Sequence, residues 1–378
     1  MQLKLIGSID FHSHFSLPSL PMKMPQLVAL LVSSLFSVSS ARAQTPAASA
    51  STPTGAVEHF KIHGKLLEGN LEGDSPDRDV SVYLPPSYGK DPARRYPVVY
   101  FLHGYTDSDD KWYGPTKHWI NLPSVLDKAN IEPGNREIIF VTPNAFTRFH
   151  GSMYSNSVVT GDWEDFIVTE LIPYIDARYR TIPVSDARGL AGHSMGGYGT
   201  MRIATRHPEV FSSFYLLSAC CMVFPESLLA ENSPKAESAK TFDEVSALEF
   251  LPRIVVALSA AWSPNPQKPP LYVDLPSKDG KMQDGIIAKY HANETLHMID
   301  QYIGNLRRYR AIGLDAGDKD HSISDATREL DRVLTSYSIA HQFEIYDGDH
   351  LNHIADRIEQ KLVPFFSKNL LFDDTPKR

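Results

Sequence analysis

Ser194 sits in the run Leu190-Ala191-Gly192-His193-Ser194-Met195-Gly196-Gly197-Tyr198-Gly199, which has the form G-x-S-x-G. Where a strand turns abruptly into a helix, a serine at the corner is held in a strained backbone conformation with its hydroxyl presented outward. The flanking glycines lack a Cβ, so strand and helix can approach closely. The amide after the serine lies at a helix N-terminus, where developing negative charge is stabilised. The neighbouring sequence fits this geometry. Arg188-Gly189-Leu190-Ala191 reads as the end of a buried strand, and Met195 to His207 carries apolar residues at helical spacing before Pro208 stops it.

A serine hydroxyl needs a histidine to accept its proton, and that imidazole needs a carboxylate to fix its tautomer. For a nucleophile on such a turn the partners follow in the order Asp or Glu, then His, each past the end of a strand. Of the 15 histidines, His350 is placed for the task, between the apolar run ending at Tyr346 and the closing helical stretch from Asn352. His353 lies a helical turn further on. The acid belongs in Asp315-Ala316-Gly317-Asp318-Lys319-Asp320-His321, after the strand Tyr309 to Leu314. Asp320, at the far side of the turn, is the first choice and Asp318 the second. A second amide for an oxyanion comes from His103-Gly104-Tyr105, so the expected donors are Tyr105 and Met195. His103 and His193 read as backbone-shaping residues.

Trp112, Tyr113, Trp119, Phe146, Phe149 and Tyr154 fall in loops expected to border the pocket; Trp112, Tyr154 and Asn156 are the expected substrate contacts. The proposed chemistry calls for no metal or organic cofactor. Asp10-Phe11-His12-Ser13-His14 and the group Asp349, His350 and His353 resemble fragments of metal sites, but neither has a complete ligand set.

The elements that must position these groups are legible in outline. Val57 to Leu67 and Asp79 to Leu84 alternate as an antiparallel edge pair. Pro97 to Leu102, Ile138 to Val141 and Phe211 to Ser218 are apolar at nearly every position, as strands of a mainly parallel sheet buried on both faces are. Helices are expected over Asp162 to Tyr179, Ser322 to Leu334 and Asn352 to Asn369, with a last strand at Gln342 to Tyr346. The alternation predicts a doubly wound α/β sheet. From Met222 to about Ile303 it lapses into proline clusters and short amphipathic pieces, with Ala292 to Tyr302 helical. This segment is expected to be a cap inserted over the C-terminal edge of the sheet.

The 378 residues are 42% hydrophobic and 22% charged, enough for a large core. A net charge of -8 argues against a nucleic-acid or anionic-membrane partner. The two cysteines, Cys220 and Cys221, are adjacent and read as buried free thiols. Met22-Lys23-Met24, the apolar stretch Leu27 to Val38 and Ala41-Arg42-Ala43 form a signal-peptide pattern, too short to span a bilayer. Export with Gln44 as the first mature residue, to the periplasm or outside the cell, is therefore expected. Residues 1–43 read as a leader, 44–56 as a disordered linker and 57–370 as one domain.

Leu102-His103-Gly104, Gly192-His193-Ser194-Met195-Gly196-Gly197, Gly317-Asp318-Lys319-Asp320 and Gly348-Asp349-His350 occur in an order that resembles the esterase D-like family of α/β-hydrolases. Arg78 to Pro85 and Glu170 to Ile175 resemble its scaffold motifs. That family includes feruloyl esterases, S-formylglutathione hydrolases, siderophore esterases and mycolyltransferase-type proteins. The resemblance covers about residues 57 to 367. It implies an α/β-hydrolase fold and a serine esterase triad on Ser194, Asp320 and His350. The expected reaction is hydrolysis of carboxylic esters through an acyl-enzyme, on feruloyl or acetyl esters of carbohydrates. Transfer of the acyl group to a sugar hydroxyl is the alternative. The stretch Met222 to Ile303 departs from the compact members.

Overall fold

The computed structural model describes residues 53–373, so the leader and most of the linker lie outside the described residues. Eight strands form one sheet: β1 (Ala56–His63), β2 (Asp77–Leu84), β3 (Val98–Leu102), β4 (Ile139–Pro143), β5 (Arg188–His193), β6 (Ser213–Leu217), β7 (Ala311–Gly317) and β8 (Gln342–Tyr346). Their order is β1-β2-β4-β3-β5-β6-β7-β8. β2 runs antiparallel to both β1 and β4, and every pairing from β4 to β8 is parallel. Strands β3, β4 and β6 are buried at every residue, which is why their sequences are apolar without alternation.

The pleat sends alternate side chains to opposite faces. Val98, Tyr100 and Leu102 join one apolar core, while Val99 and Phe101 join the other. The first core is covered by the helix over residues 163–178 and by Met195–Arg206. The second is covered by Leu122–Ile131 and the closing helix over residues 354–369. Helices on both faces of a largely parallel sheet make the α/β architecture expected from the sequence.

After β6 the chain leaves the sheet. Residues 222–303 fold into α1 (Glu226–Ala236), α2 (Phe242–Ala247), α3 (Phe250–Trp262), a two-residue hairpin pair at Ser277–Lys278 and Lys281–Met282, and α4 (Asp284–His291). A capping box closes the start of α2, with Thr241 accepting from the Glu244 amide. The 13-residue α3 is longer than the short pieces expected here. Pro252 sits in its first turn, where an amide has no intrahelical acceptor to lose. The continuous helix expected over Ala292 to Tyr302 is instead broken into Thr295–Met298 and a tight turn at Ile299–Tyr302. Glu294 departs from helical geometry there and its buried carboxylate accepts the Phe224 amide instead. Among the described residues, no helix is long and apolar enough to cross a membrane.

Candidate active site

Ser194 has φ 56° and ψ -115°, a conformation L-residues rarely adopt. Close backbone packing over-determines it. A Cβ on Gly196 would lie 1.8 Å from the Leu102 carbonyl oxygen, and one on Gly192 would lie 2.3 Å from the Gly196 carbonyl carbon. The end of β3, the end of β5 and the start of the following helix, α5 (Met195–Arg206), therefore meet backbone against backbone. The Ser194 amide donates to the Leu217 carbonyl at 3.0 Å, and the Ser194 carbonyl accepts from the Tyr198 and Cys220 amides.

His350 lies in the loop after β8. Its Nε2 is 2.9 Å from Ser194 Oγ, and its Nδ1 is 2.6 Å from Asp320 Oδ2. Asp320 stands at the N-terminus of α6 (His321–Ser336). With Nδ1–H donating to Asp320, Nε2 is left as the acceptor for the serine proton. The loops carrying His350 and Asp320 are tied to one another: the Gly348 amide donates to Asp318 Oδ1 at 3.0 Å and the Lys319 amide to the Gly348 carbonyl at 2.9 Å. Gly317 has no room for a Cβ, which would meet the Gly348 oxygen at 2.2 Å. Of the three aspartates, Asp318 thus holds the loop and Asp320 touches the imidazole. Asp315 is buried in β7, where it accepts from Tyr215 and Arg357; burial raises its carboxyl to about 6 against the pull of Arg357.

The other two histidines hold backbone. His103 Nδ1 donates to the Gly104 carbonyl while its Nε2 accepts the Ala145 amide, and burial lowers it to about 4. His193 donates from Nε2 to the backbone carbonyl of His350 at 3.0 Å. Burial, and then the neighbouring His350, hold it well below the usual imidazole range. It is a neutral strut under the His350 loop, which fits its reading as a backbone-shaping residue and adds the partner that the sequence did not reveal.

Tyr105 and Met195 come together beside Ser194. A Cβ on Gly104 would lie 3.5 Å from the Ser194 Cβ, and one on Gly151 would meet both the Met195 sulfur and the Tyr105 ring. Ser194, His350 and Asp320 open onto a cavity of about 340 Å³ whose wall includes Tyr105, Phe224, Leu228, Phe250, Ile254 and Ile323. Cys220 and Cys221, both free thiols, also line it. A larger, more open cleft of about 480 Å³ lies within the insertion around Pro269-Pro270 and Lys278, away from these groups.

The expected substrate contacts lie elsewhere. Trp112 is fully buried, with Nε1 donating to Asp107 at 2.9 Å and its ring packed on Phe101. Tyr154 is equally buried and donates to the His103 carbonyl. Asn156 accepts the Asp165 amide at the start of the 163–178 helix. None of the three lines the cavity. These large rings form the packing beneath the site because loop segments that run under a catalytic edge need apolar anchors as much as a substrate does. The wall is built instead from ordinary aliphatic and aromatic residues of the insertion and of α6.

The profile of the esterase family described as "Putative esterase" matches residues 75–360. The chain belongs to that family. An endo-1,4-beta-xylanase/feruloyl esterase of Xylanibacter ruminicola is 30% identical over 161 residues, 41% of this chain and 22% of the relative. An esterase of Mycobacterium tuberculosis is 34% identical over 139 residues, 35% of this chain and 27% of the relative. The chain thus spans about a quarter of the length of these relatives. Among solved structures, a ferulic acid esterase superposes with a TM-score of 0.58 at 23% identity, over 84% of this chain and 99% of that one. A fluorophosphonate-binding serine hydrolase of Staphylococcus aureus gives 0.56 at 17% identity, over 83% and 99%. The chain thus shares its fold with these two proteins.

Proposed function

We propose that the protein is an exported serine esterase that cleaves carboxylic esters through an acyl-enzyme. The observation that carries this reading is the hydrogen-bonded chain from Ser194 through His350 to Asp320 at the mouth of an apolar cavity. Ser194 Oγ attacks the ester carbonyl as His350 Nε2 takes its proton, and Asp320 stabilises the imidazolium. The amides of Tyr105 and Met195 stabilise the oxyanion; one such donor contributes roughly 3–4 kcal/mol to the transition state. The protonated His350 then gives its proton to the leaving alcohol, and neutral again, it activates the water that releases the acid.

The residues of the 222–303 insertion wall the cavity as a cap. Apart from the reacting groups and Ser322 its lining is dominated by apolar side chains, which suits an aryl or aliphatic acyl group with the alcohol directed toward solvent. The relative named a xylanase and feruloyl esterase supports a feruloyl ester of a carbohydrate as substrate, with an acetyl ester as the smaller alternative. Wild-type protein should hydrolyse p-nitrophenyl acetate and methyl ferulate, and Ser194→Ala should not. Equal activity in the two would overturn the proposal. Product analysis with a sugar acceptor separates hydrolysis, which yields free acid, from acyl transfer. N-terminal sequencing of exported protein should begin at Gln44.

A further inference from the structure

We propose that His291, Glu294 and His297 bind a divalent cation of the zinc class and so brace the loop that walls the cavity. The three offer one donor atom each, all within 4.8 Å of one another. His291 ends α4, Glu294 precedes the next helical turn and His297 lies within that turn, so the break in the helix gathers side chains that a continuous helix would spread. Two imidazoles and a carboxylate form a donor set suited to zinc. Glu226 Oε1 lies 3.8 Å from His291 Nε2, at the exposed edge of the group.

Charge supplies the second argument. The Glu294 side chain is fully buried, its Oε1 accepting the Phe224 amide at 2.9 Å and its Oε2 facing His297 Nδ1 at 2.6 Å. Among the described residues no lysine or arginine pairs with it, so His297 is its one ion-pair partner, and a buried carboxylate without a cation is costly. The other group of this kind, Glu164, Asp165 and His207, differs in that respect: Arg202 Nε already sits 2.6 Å from Glu164. A tetrahedral zinc sets its ligands roughly 3.4 Å apart, so the site closes by small side-chain shifts. The proton shared between His297 and Glu294 then leaves to solvent.

The consequence lies in the cavity wall. Glu294 holds the Phe224 amide and the Leu296 amide donates to the Met222 carbonyl, while Val223, Phe224 and Pro225 line the cavity. A bound ion would fix this loop from behind without touching the reacting groups.

The test is calorimetric titration of zinc into chelator-treated mature protein, with cobalt absorption as a second readout. We expect one equivalent bound at micromolar zinc, tetrahedral cobalt bands, and a zinc-dependent rise in thermal midpoint. His291→Ala, at a partly exposed position that leaves the fold intact, should abolish all three, and His350→Ala should retain them. Uptake that is equal in wild type and His291→Ala, absent at micromolar zinc, or lost only in His350→Ala would overturn the proposal.

Discussion

The turn at Ser194 and the insertion over residues 222–303 face the same cavity but are built on opposite principles. At the turn, backbone meets backbone: Gly192 and Gly196 leave no space even for a methyl group, and the strained serine has one available position. The insertion contributes side chains such as Phe224, Leu228, Phe250 and Ile254, which touch the cavity with apolar surface alone. On the proposed reading, reactivity is placed where the chain has no freedom, and selectivity where one aliphatic residue can replace another at little cost. The two should separate under mutation.

The largest effect should fall on the turn and its partners. Ser194→Ala and His350→Ala should each lower kcat by about 10⁴ to 10⁶, with the double variant no worse because the residues act as a unit. Steady-state turnover of p-nitrophenyl acetate measures this, and near-normal turnover in either variant would remove the basis of the comparison. Next comes the choice of acid. Asp320→Asn should cost about 10⁴ through the wrong imidazole tautomer. Asp318→Asn weakens one bond to the Gly348 amide and should cost only roughly tenfold. The reverse ranking would exchange the two assignments.

How much of this the sequence revealed follows the same division. The run around Ser194 is readable because its chemistry demands glycines at fixed offsets, and His350 because it falls between the last strand and the last helix. Asp318 and Asp320 could be ranked but not separated by sequence, since both follow the Gly317 turn; the difference is that the Gly348 amide occupies one of them. Trp112 and Tyr154 read as pocket residues because large aromatics in loops near the sheet's C-terminal edge look like binding surface, yet both are fully buried. The insertion that carries much of the cavity wall is legible as a cap, but its individual lining side chains carry no signal, because an apolar residue lining a pocket is indistinguishable by type from one filling a core.

Smaller effects should appear when the wall is cut back. Phe250→Ala and Ile254→Ala should change the ratio of kcat/KM for butyryl over acetyl esters by roughly tenfold. The acetyl kcat should stay within a factor of about three, well below the transition-state losses above. Matched p-nitrophenyl ester series would show it. A collapse of acetyl turnover would mean that the insertion also positions the reacting groups, and the separation would fail.

The smallest effect on turnover should come from a group in neither region. Glu72 is buried with both carboxylate oxygens unpartnered, and burial raises its acid to about 8 from the ordinary 4.5, with Asp74 adding to the shift. Below the unfolded value both states hold the proton, so this group's contribution to stability is fully present. As pH rises toward 8 the unfolded chain ionises while the folded one keeps its proton, and that contribution is lost. Glu72→Gln keeps the shape without the ionisation. Its urea midpoint should exceed that of wild type at alkaline pH, by on the order of 2–4 kcal/mol in unfolding free energy, and the gap should narrow toward pH 5. Ester selectivity should not move. If it did, the cavity would be coupled to the segment between β1 and β2, and the rigid and replaceable regions would not be independent.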